Sequence, residues 1–303
     1  MSPSSFHRLG LGRRARKDAP TQKSAPFRFA VGSLRFLWIL DFGFWIFRPA
    51  TVAALMLAAV STRAADNASD AEMQGRALTQ QLLAQQPTEN YTNTGHLRLR
   101  DATDHRTDVP LRCEILVTAT NWATAYEANL GTGQIASLYI IHTAGRANEY
   151  YYRTNAVAGG IPILGHLFRS SRLSGADTMA AFAGSDFWIA DLGQEFLHWP
   201  QQKVLRQEVK RGQGCTVLES TNPHPTVGGY SRVVSWVDTE NNGLVQAFAY
   251  DSDGQKLKEF YPKEVKKVNG QWHVGMMEMD NDQTDSRTRL EFDLEPAGAD
   301  AQK

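Results

Sequence analysis

From residue 230 to residue 293 apolar and polar positions alternate in short segments, the period of strands with one side chain up and the next down. The segments are 230–238, 244–251, 255–261, 264–268, 271–279 and 284–293. Asn241-Asn242-Gly243, Asp251-Ser252-Asp253-Gly254 and Asn269-Gly270 lie between them, residues that take the positive φ of tight hairpins. Links this short leave no room for a crossover helix, so neighbouring strands run antiparallel. Upstream, Met73, Ala77, Leu78 and Leu82 recur at helical spacing and predict an amphipathic helix over 71–86. Alternation then returns in 92–102, 110–120, 122–127, 135–143 and 150–153, a first meander before the second, and 203–210 and 215–220 rejoin the strand pattern ahead of residue 230. Between the two, 156–185 is apolar but broken by Gly and Pro, and 187–198 reads as a short helix ended before Pro200.

Several of these strands are apolar on both sides. Tyr230, Val234 and Trp236 oppose Val233 and Val237; Leu244, Phe248 and Tyr250 oppose Val245, Ala247 and Ala249; Trp272, Val274 and Met276 oppose Met277 and Met279. Such a sheet needs cover on both faces, or a greasy hollow on one of them. A helix-covered core and an apolar ligand cavity both satisfy that need.

The chain has 303 residues, 42% of them apolar, with 32 basic and 32 acidic side chains. The balanced charge supplies no global field for nucleic acid. Residues 1–64 read as a leader and 65–303 as one folded domain. Residues 1–35 are basic and aperiodic, and the apolar runs 36–47 and 50–60 are each too short to span a bilayer. Arg48, the 50–60 run and Thr62-Arg63-Ala64 resemble the three regions of a secretory signal, with cleavage after Ala64. The alternative is one uncleaved anchor over 36–60, in which Asp41 and Arg48 would sit in lipid at a cost of about 2.5–3.5 kcal/mol each. Cys113 and Cys215 are the only cysteines. Paired, they would close a loop of about 100 residues and contribute up to about 4.7 kcal/mol; unpaired, they are two buried strand residues.

No catalytic or cofactor motif emerges. His7, His96, His105, His142, His166, His198, His224 and His273 form no metal-ligand pair, and there is no nucleophile elbow, phosphate loop or dinucleotide fingerprint. Glu278, Asp280, Asp282 and Asp285 cluster near a strand end but lack a calcium-loop pattern and read as a solvated hairpin. The sequons at Asn67 and Asn90 match the glycosylation pattern only. We therefore expect no enzyme, no cofactor and no metal.

A set of short strings carries a likeness: Tyr230-Ser231-Arg232-Val233 through Trp236-Val237-Asp238, Ala249-Tyr250-Asp251 with 254–258, Lys266-Lys267-Val268-Asn269-Gly270-Gln271-Trp272, Met277-Glu278-Met279 and Thr288-Arg289-Leu290. With Ser185-Asp186-Phe187-Trp188-Ile189-Ala190-Asp191-Leu192 and Gly214-Cys215-Thr216-Val217-Leu218, the chain resembles the bacterial outer-membrane lipoprotein-sorting (LolA-like) family over about 92–293. The resemblance implies a mainly β fold with some α, an incomplete antiparallel β-barrel wrapped around helices. It implies a periplasmic carrier that takes lipoprotein or other lipid acyl chains, or another apolar ligand, working with inner- and outer-membrane sorting partners. A protein-binding or envelope-stress module of the same fold is the alternative function, and a membrane-anchored protein facing the periplasm the alternative location. From alternation, the hollow would be lined by Val234, Trp236, Phe248, Tyr250, Trp272 and Met276. Ile161, Ile163, Leu164, Leu167 and Phe168 would form its lid.

Overall fold

The computed structural model describes residues 70–131, 133–155, 171–268 and 271–294. The expected leader and the five lid residues lie outside these. By its contacts the chain divides into Met1–Gly32 and Ser33–Lys303, and every described residue belongs to the second unit. Helix α1 (Asp70–Leu83) leads into strands β1 (Tyr91–Arg100), β2 (Arg106–Val117), β3 (Asn121–Gly131), β4 (Gln134–Thr143), β5 (Glu149–Asn155) and β6 (Ser171–Leu173). A compact segment follows, with a 3-10 turn at Gly175–Met179, the single-turn helix α2 (Ile189–Leu192) and a second 3-10 turn at Glu195–His198. The chain ends with β7 (Gln201–Lys210), β8 (Gln213–Thr221), β9 (Arg232–Asp238), β10 (Leu244–Tyr250), β11 (Lys256–Val268), β12 (Gln271–Asn281) and β13 (Ser286–Phe292).

All thirteen strands form one antiparallel sheet in the order β6-β5-β4-β3-β2-β1-β13-β12-β11-β10-β9-β8-β7. Each meander pairs consecutive strands, and one non-local pairing, β1 with β13, joins them, Leu97 opposite Leu290. The sheet is not closed into a barrel: β6 and β7 are its edges. The hairpins turn where the sequence places its turn residues. Asn242 (φ 58°) and Gly254 (φ 79°) supply the left-handed positions, and Asp251 Oδ1 accepts from the amides of Asp253 (3.0 Å) and Gln255 (2.8 Å).

Three expectations are corrected. The segments 255–261 and 264–268 are one strand, β11, which slips register at Pro262 instead of ending there. Proline has no N–H for the ladder, so the chain accommodates it as an irregularity. The helix expected over 187–198 is two short pieces, because Gly193 and Gln194 (φ 49°) turn the backbone between α2 and the second 3-10 turn. In α1 the buried residues are Gly75, Thr79 and Leu82, whereas Met73 is 52% exposed and Ala77 is exposed. Close approach chooses this face: a Cβ at Gly75 would lie 2.5 Å from the Gln202 carbonyl carbon, so the helix rests directly on β7. The Thr79 hydroxyl adds a bond to Gln202 Oε1 (3.2 Å).

The two faces of the sheet are built differently. The inner face carries Leu97, Leu111, Cys113, Leu138, Val233, Leu257, Met279 and Leu290, which pack with Phe182, Phe187, Ile189, Phe196 and Leu197 of the central segment in one core. That segment is the plug around which the incomplete barrel wraps. The outer face is charged over β1, β11, β12 and β13. Glu278 is fully buried there and takes bonds from Tyr261, Lys263 (3.0 Å) and Arg289 (2.5 Å). Burial works to raise its carboxyl; those bonds override it and hold the group down at about 2. Arg287 pairs with Asp280, and Lys256 with Asp282 at 3.2 Å. Of the carboxylates expected to form a solvated hairpin, Glu278, Asp280 and Asp282 are thus paired with cations, Glu278 inside a buried network, while Asp285 is exposed.

Over β8, β9 and β10 the outer face is apolar and carries a separate cluster of Cys215, Val217, Val234, Trp236 and Val245. The β7–β8 turn, with Arg211 (φ 51°) and Gly212 (φ 81°), carries the cations that cover this face. Lys210 Nζ lies 4.4 Å from the centre of a Trp236 ring and 5.1 Å from that of Phe248, and Arg211 lies 3.9 Å from that of Tyr261.

Cys113 therefore belongs to the inner core and Cys215 to the outer cluster, and both are free thiols. No disulfide joins them, because they sit on opposite faces of the sheet. Burial raises both thiols above their ordinary range. We expect the folded protein to react slowly with an aromatic disulfide reagent, to yield two thiols once unfolded in guanidinium, and to show no mass change on reduction.

Candidate functional site

The plug is fixed by polar anchors that start in the run Ser185–Leu192. The Asp186 backbone N–H donates to Thr288 Oγ1 (2.9 Å), and its carboxylate accepts from Thr288 (2.8 Å), Ser286 (2.5 Å) and Asn281 (3.0 Å). Phe187 then meets the edge of Phe260, ring centres 5.8 Å apart. Trp188 stacks on Tyr230 at 4.5 Å, and the Lys258 ammonium sits 3.6 Å above the Trp188 ring. Lys258, 1% exposed, donates to the Asp186 carbonyl (2.6 Å) and pairs with Asp191 at 3.7 Å. Asp191 Oδ2 also accepts from the Trp188 amide (2.8 Å) and the Tyr230 hydroxyl (3.1 Å). Burial raises the Asp191 carboxyl and pulls the Lys258 amine down to about 8, each opposed by the charge of the other.

Beside this anchor the plug leaves the sheet uncovered, and a cavity of about 320 Å³ opens between them. That volume lies at the lower end of the range for small-molecule sites. Its apolar wall comes from Leu83 of α1, Trp122 and Tyr126 of β3, Phe187, Leu192 and Leu197 of the plug, Phe260 of β11, and Val274 and Met277 of β12. Its polar end is made by Thr124, His142, Asn148, Gln194 and His198, with Arg146 at an exposed rim. His142 stacks on Trp122 at 3.7 Å, nearly parallel, and its Nε2 lies 3.5 Å from the Thr124 hydroxyl. Burial pushes the His142 imidazole down to about 3 and lowers that of His198, so both are neutral near pH 7.

Asn148 ties the β4–β5 loop to the plug. Its amide nitrogen donates to the Gly193 carbonyl (2.7 Å) and to the Tyr150 hydroxyl (3.3 Å), which itself donates to Glu195 (2.8 Å). Only glycine fits at 193, since a Cβ there would lie 2.2 Å from the Tyr150 hydroxyl oxygen. Among the described residues no group of His, Cys, Asp and Glu is arranged to hold a metal. No described helix is long and apolar enough to cross a membrane, which leaves strands aside.

Of the six residues expected to line the hollow, Val234, Trp236, Phe248, Tyr250 and Met276 lie away from this cavity, and the Trp272 side chain lies outside what is described. Val234 and Trp236 are buried in the outer cluster, where Phe248 and Tyr250 pack against them. Met276 opposes Glu264 and Glu291, whose side chain pairs with Arg98 on the outer face. In the ladder Trp272 of β12 pairs with Lys267 of β11. The reason is register. In a strand apolar on both sides, alternation gives two faces but not which one is inside, and the slip that pairs Glu264 with Met276 and Val265 with Val274 skips Gly275. Val274 thereby joins the inner wall while Met276 does not. The polar end carried no sequence signal of its own: His142 read as a strand histidine, and Arg146 and Asn148 lie in a connection. The Ser185–Leu192 run did carry one.

Lys258→Met leaves Asp191 buried without its cation and should destabilise the fold by about 3–5 kcal/mol, read from urea unfolding. An acid-stability series tests the cavity histidines. Because His142 titrates near 3 when folded and near 6.5 when unfolded, the unfolded chain binds the extra proton between those values. Stability should fall as pH drops from about 6.5 towards 3. His142→Phe, which preserves a ring against Trp122, should remove part of that slope.

Comparison with known proteins bears on the fold. A family described as "Uncharacterized protein" matches residues 164–295. No curated protein matches the chain. Among solved structures, a DUF1329 family protein of Desulfovibrio piger is 16% identical, with 74% of this chain and 92% of that chain covered and a TM-score of 0.57. A domain of Vibrio parahaemolyticus provisionally assigned to outer-membrane lipoprotein sorting is 20% identical over the same shares, TM-score 0.58. A LolA superfamily protein of Nitrosomonas europaea is 16% identical, again over 74% and 92%, with a TM-score of 0.48. The first two likenesses establish a shared fold, which in this chain is an antiparallel sheet left open around a plug.

Proposed function

We propose that the protein is a non-catalytic carrier of the bacterial envelope that takes a lipid acyl chain, such as that of a lipoprotein, into the cavity beside the plug. The observation that carries the reading is the 320 Å³ hollow itself, walled by nine apolar and aromatic residues from α1, the sheet and the plug. Each methylene transferred from water into it contributes about 0.8 kcal/mol. The alternative, a protein-binding module with a filled core, calls for an exposed apolar patch. Among the described residues the exposed large apolar side chains are Met73, Leu205, Val209 and Val227, spread over α1, β7 and the loop before β9. Residues 1–64 act as the export leader in this reading, and the mature chain works in the periplasm between inner- and outer-membrane sorting partners.

Native mass spectrometry of the exported chain, with organic extraction of whatever accompanies it, tests the proposal. We expect acyl-containing adducts that disappear in Val274→Trp, which fills the cavity, and persist in Trp236→Ala, which alters only the outer cluster. A mass free of adducts that also resists loading with a lipopeptide would overturn the reading, as would the reverse dependence on the two variants.

A further inference from the structure

Besides its histidines, the cavity is bordered by the ionisable side chains of Asp191 and Arg146, and only the first has a partner in the fold. Asp191 is buried and holds Lys258, the Trp188 amide and the Tyr230 hydroxyl. Arg146 is exposed, and among the described residues its guanidinium has neither a carboxylate nor a hydrogen-bond acceptor. On the outer face, by contrast, Arg98, Arg287 and Arg289 each pair with a carboxylate. Near pH 7 His142 and His198 are neutral, so the guanidinium is the cation that the mouth offers. The main chain, not the side chain, fixes its place. The Arg146 N–H donates to the Thr143 carbonyl (3.0 Å), Gly145 takes the left-handed position (φ 71°), and Asn148 fastens the loop to the Gly193 carbonyl of the plug (2.7 Å). Ala144, Gly145 and Ala147 complete the same edge of the cavity.

We propose that the cavity selects acyl chains ending in an oxyanion, a carboxylate or a phosphate, with the chain along Trp122, Leu197, Val274 and Met277 and the anionic head at the mouth against the Arg146 guanidinium. The inference rests on the carrier reading and adds the ligand class to it. An oxyanion drawn inside would lose its water against an apolar wall and face the Asp191 carboxylate. At the rim it stays hydrated and meets a planar fork of N–H donors that matches its geometry. The head thus sets the orientation, tail inward and oxyanion at the β4–β5 loop. A neutral alcohol of equal length fills the same wall but draws nothing from the guanidinium.

The test uses the exported protein and probes of equal chain length, dodecanoic acid, monododecyl phosphate and 1-dodecanol, which displace a neutral fluorescent alcohol near pH 7. The quantity read is the affinity of each anion relative to 1-dodecanol, so that differences in chain burial cancel between variants. We expect at least one of these ratios to fall about fivefold in Arg146→Gln and to fall further in Arg146→Glu. Raising the salt from about 0.01 M to about 1 M, which shortens the screening length from about 30 Å to about 3 Å, should lower the ratio in the unaltered protein and not in Arg146→Gln. The anion with the larger response tells a fatty acid from a phosphate-bearing lipid. Because the Arg146 side chain makes no bond within the described fold, neither variant removes a contact that shapes the cavity, and circular dichroism checks their folding. Ratios unchanged in Arg146→Gln, with 1-dodecanol bound, overturn the headgroup preference but leave the carrier reading standing. Failure of all the probes to bind the unaltered protein overturns both.

Discussion

One buried ammonium holds the architecture together. Lys258 projects from the inner face of β11 into the plug and meets a carboxylate, a main-chain carbonyl and the face of an indole within 4 Å. A lysine in such a place tolerates neither water-like freedom nor apolar neighbours, so the plug's conformation must supply its partners. Asp191 does so from α2 and Asp186 from the residue before Phe187, with Tyr230 of the second meander completing the set. A helix of one turn has almost no intrinsic stability. Its place in the core is set by this polar docking together with the aromatic contacts of Phe187 and Trp188.

The arrangement also explains why the interior is not filled. A plug made of long helices would cover the inner face evenly. This one is pinned strongly at Asp186 and Lys258, turns sharply at Gly193 and Gln194, and returns to the sheet through Phe196, Leu197 and Gln202, whose amide nitrogen donates to the carbonyls of Phe196 and Trp199 (2.9 Å each). The hollow opens beside those pins, between the plug and strands β3, β4, β11 and β12. Its polar end follows from the same economy. The β4–β5 loop must be tied to the plug across the gap, and Asn148 does this with its amide nitrogen.

Much of the fold was legible in the chain. Alternation located nearly every strand, and turn residues such as Asn242 and Gly254 marked the hairpins. The Ser185–Leu192 run carried the family likeness and proved to be the hub of the plug. What the pattern left undetermined was sidedness. Val234 and Val233, or Trp236 and Val237, are equally apolar, and only the pairing of distant strands decides which of each faces inward. Local slips compound this, since the irregularity around Pro262 and Gly275 reverses the phase of β12 for residues that look continuous with it. The cover over Trp236 was hidden for a different reason: it comes from charged residues at a hairpin tip, which composition assigns to solvent.

The pairing of β1 with β13 has a consequence for how the molecule comes into being. Leu97 waits for Leu290, and until the final strand arrives β1 and β12 are both open edges with unpaired main-chain groups. Local hairpins on either side assemble from neighbours in sequence, but joining the halves closes a loop of almost the whole folded region, the slow kind of contact. The chain is thus most exposed to mispairing just before its last strand docks. Its carboxy-terminal strand acts as the clasp that ends that exposure.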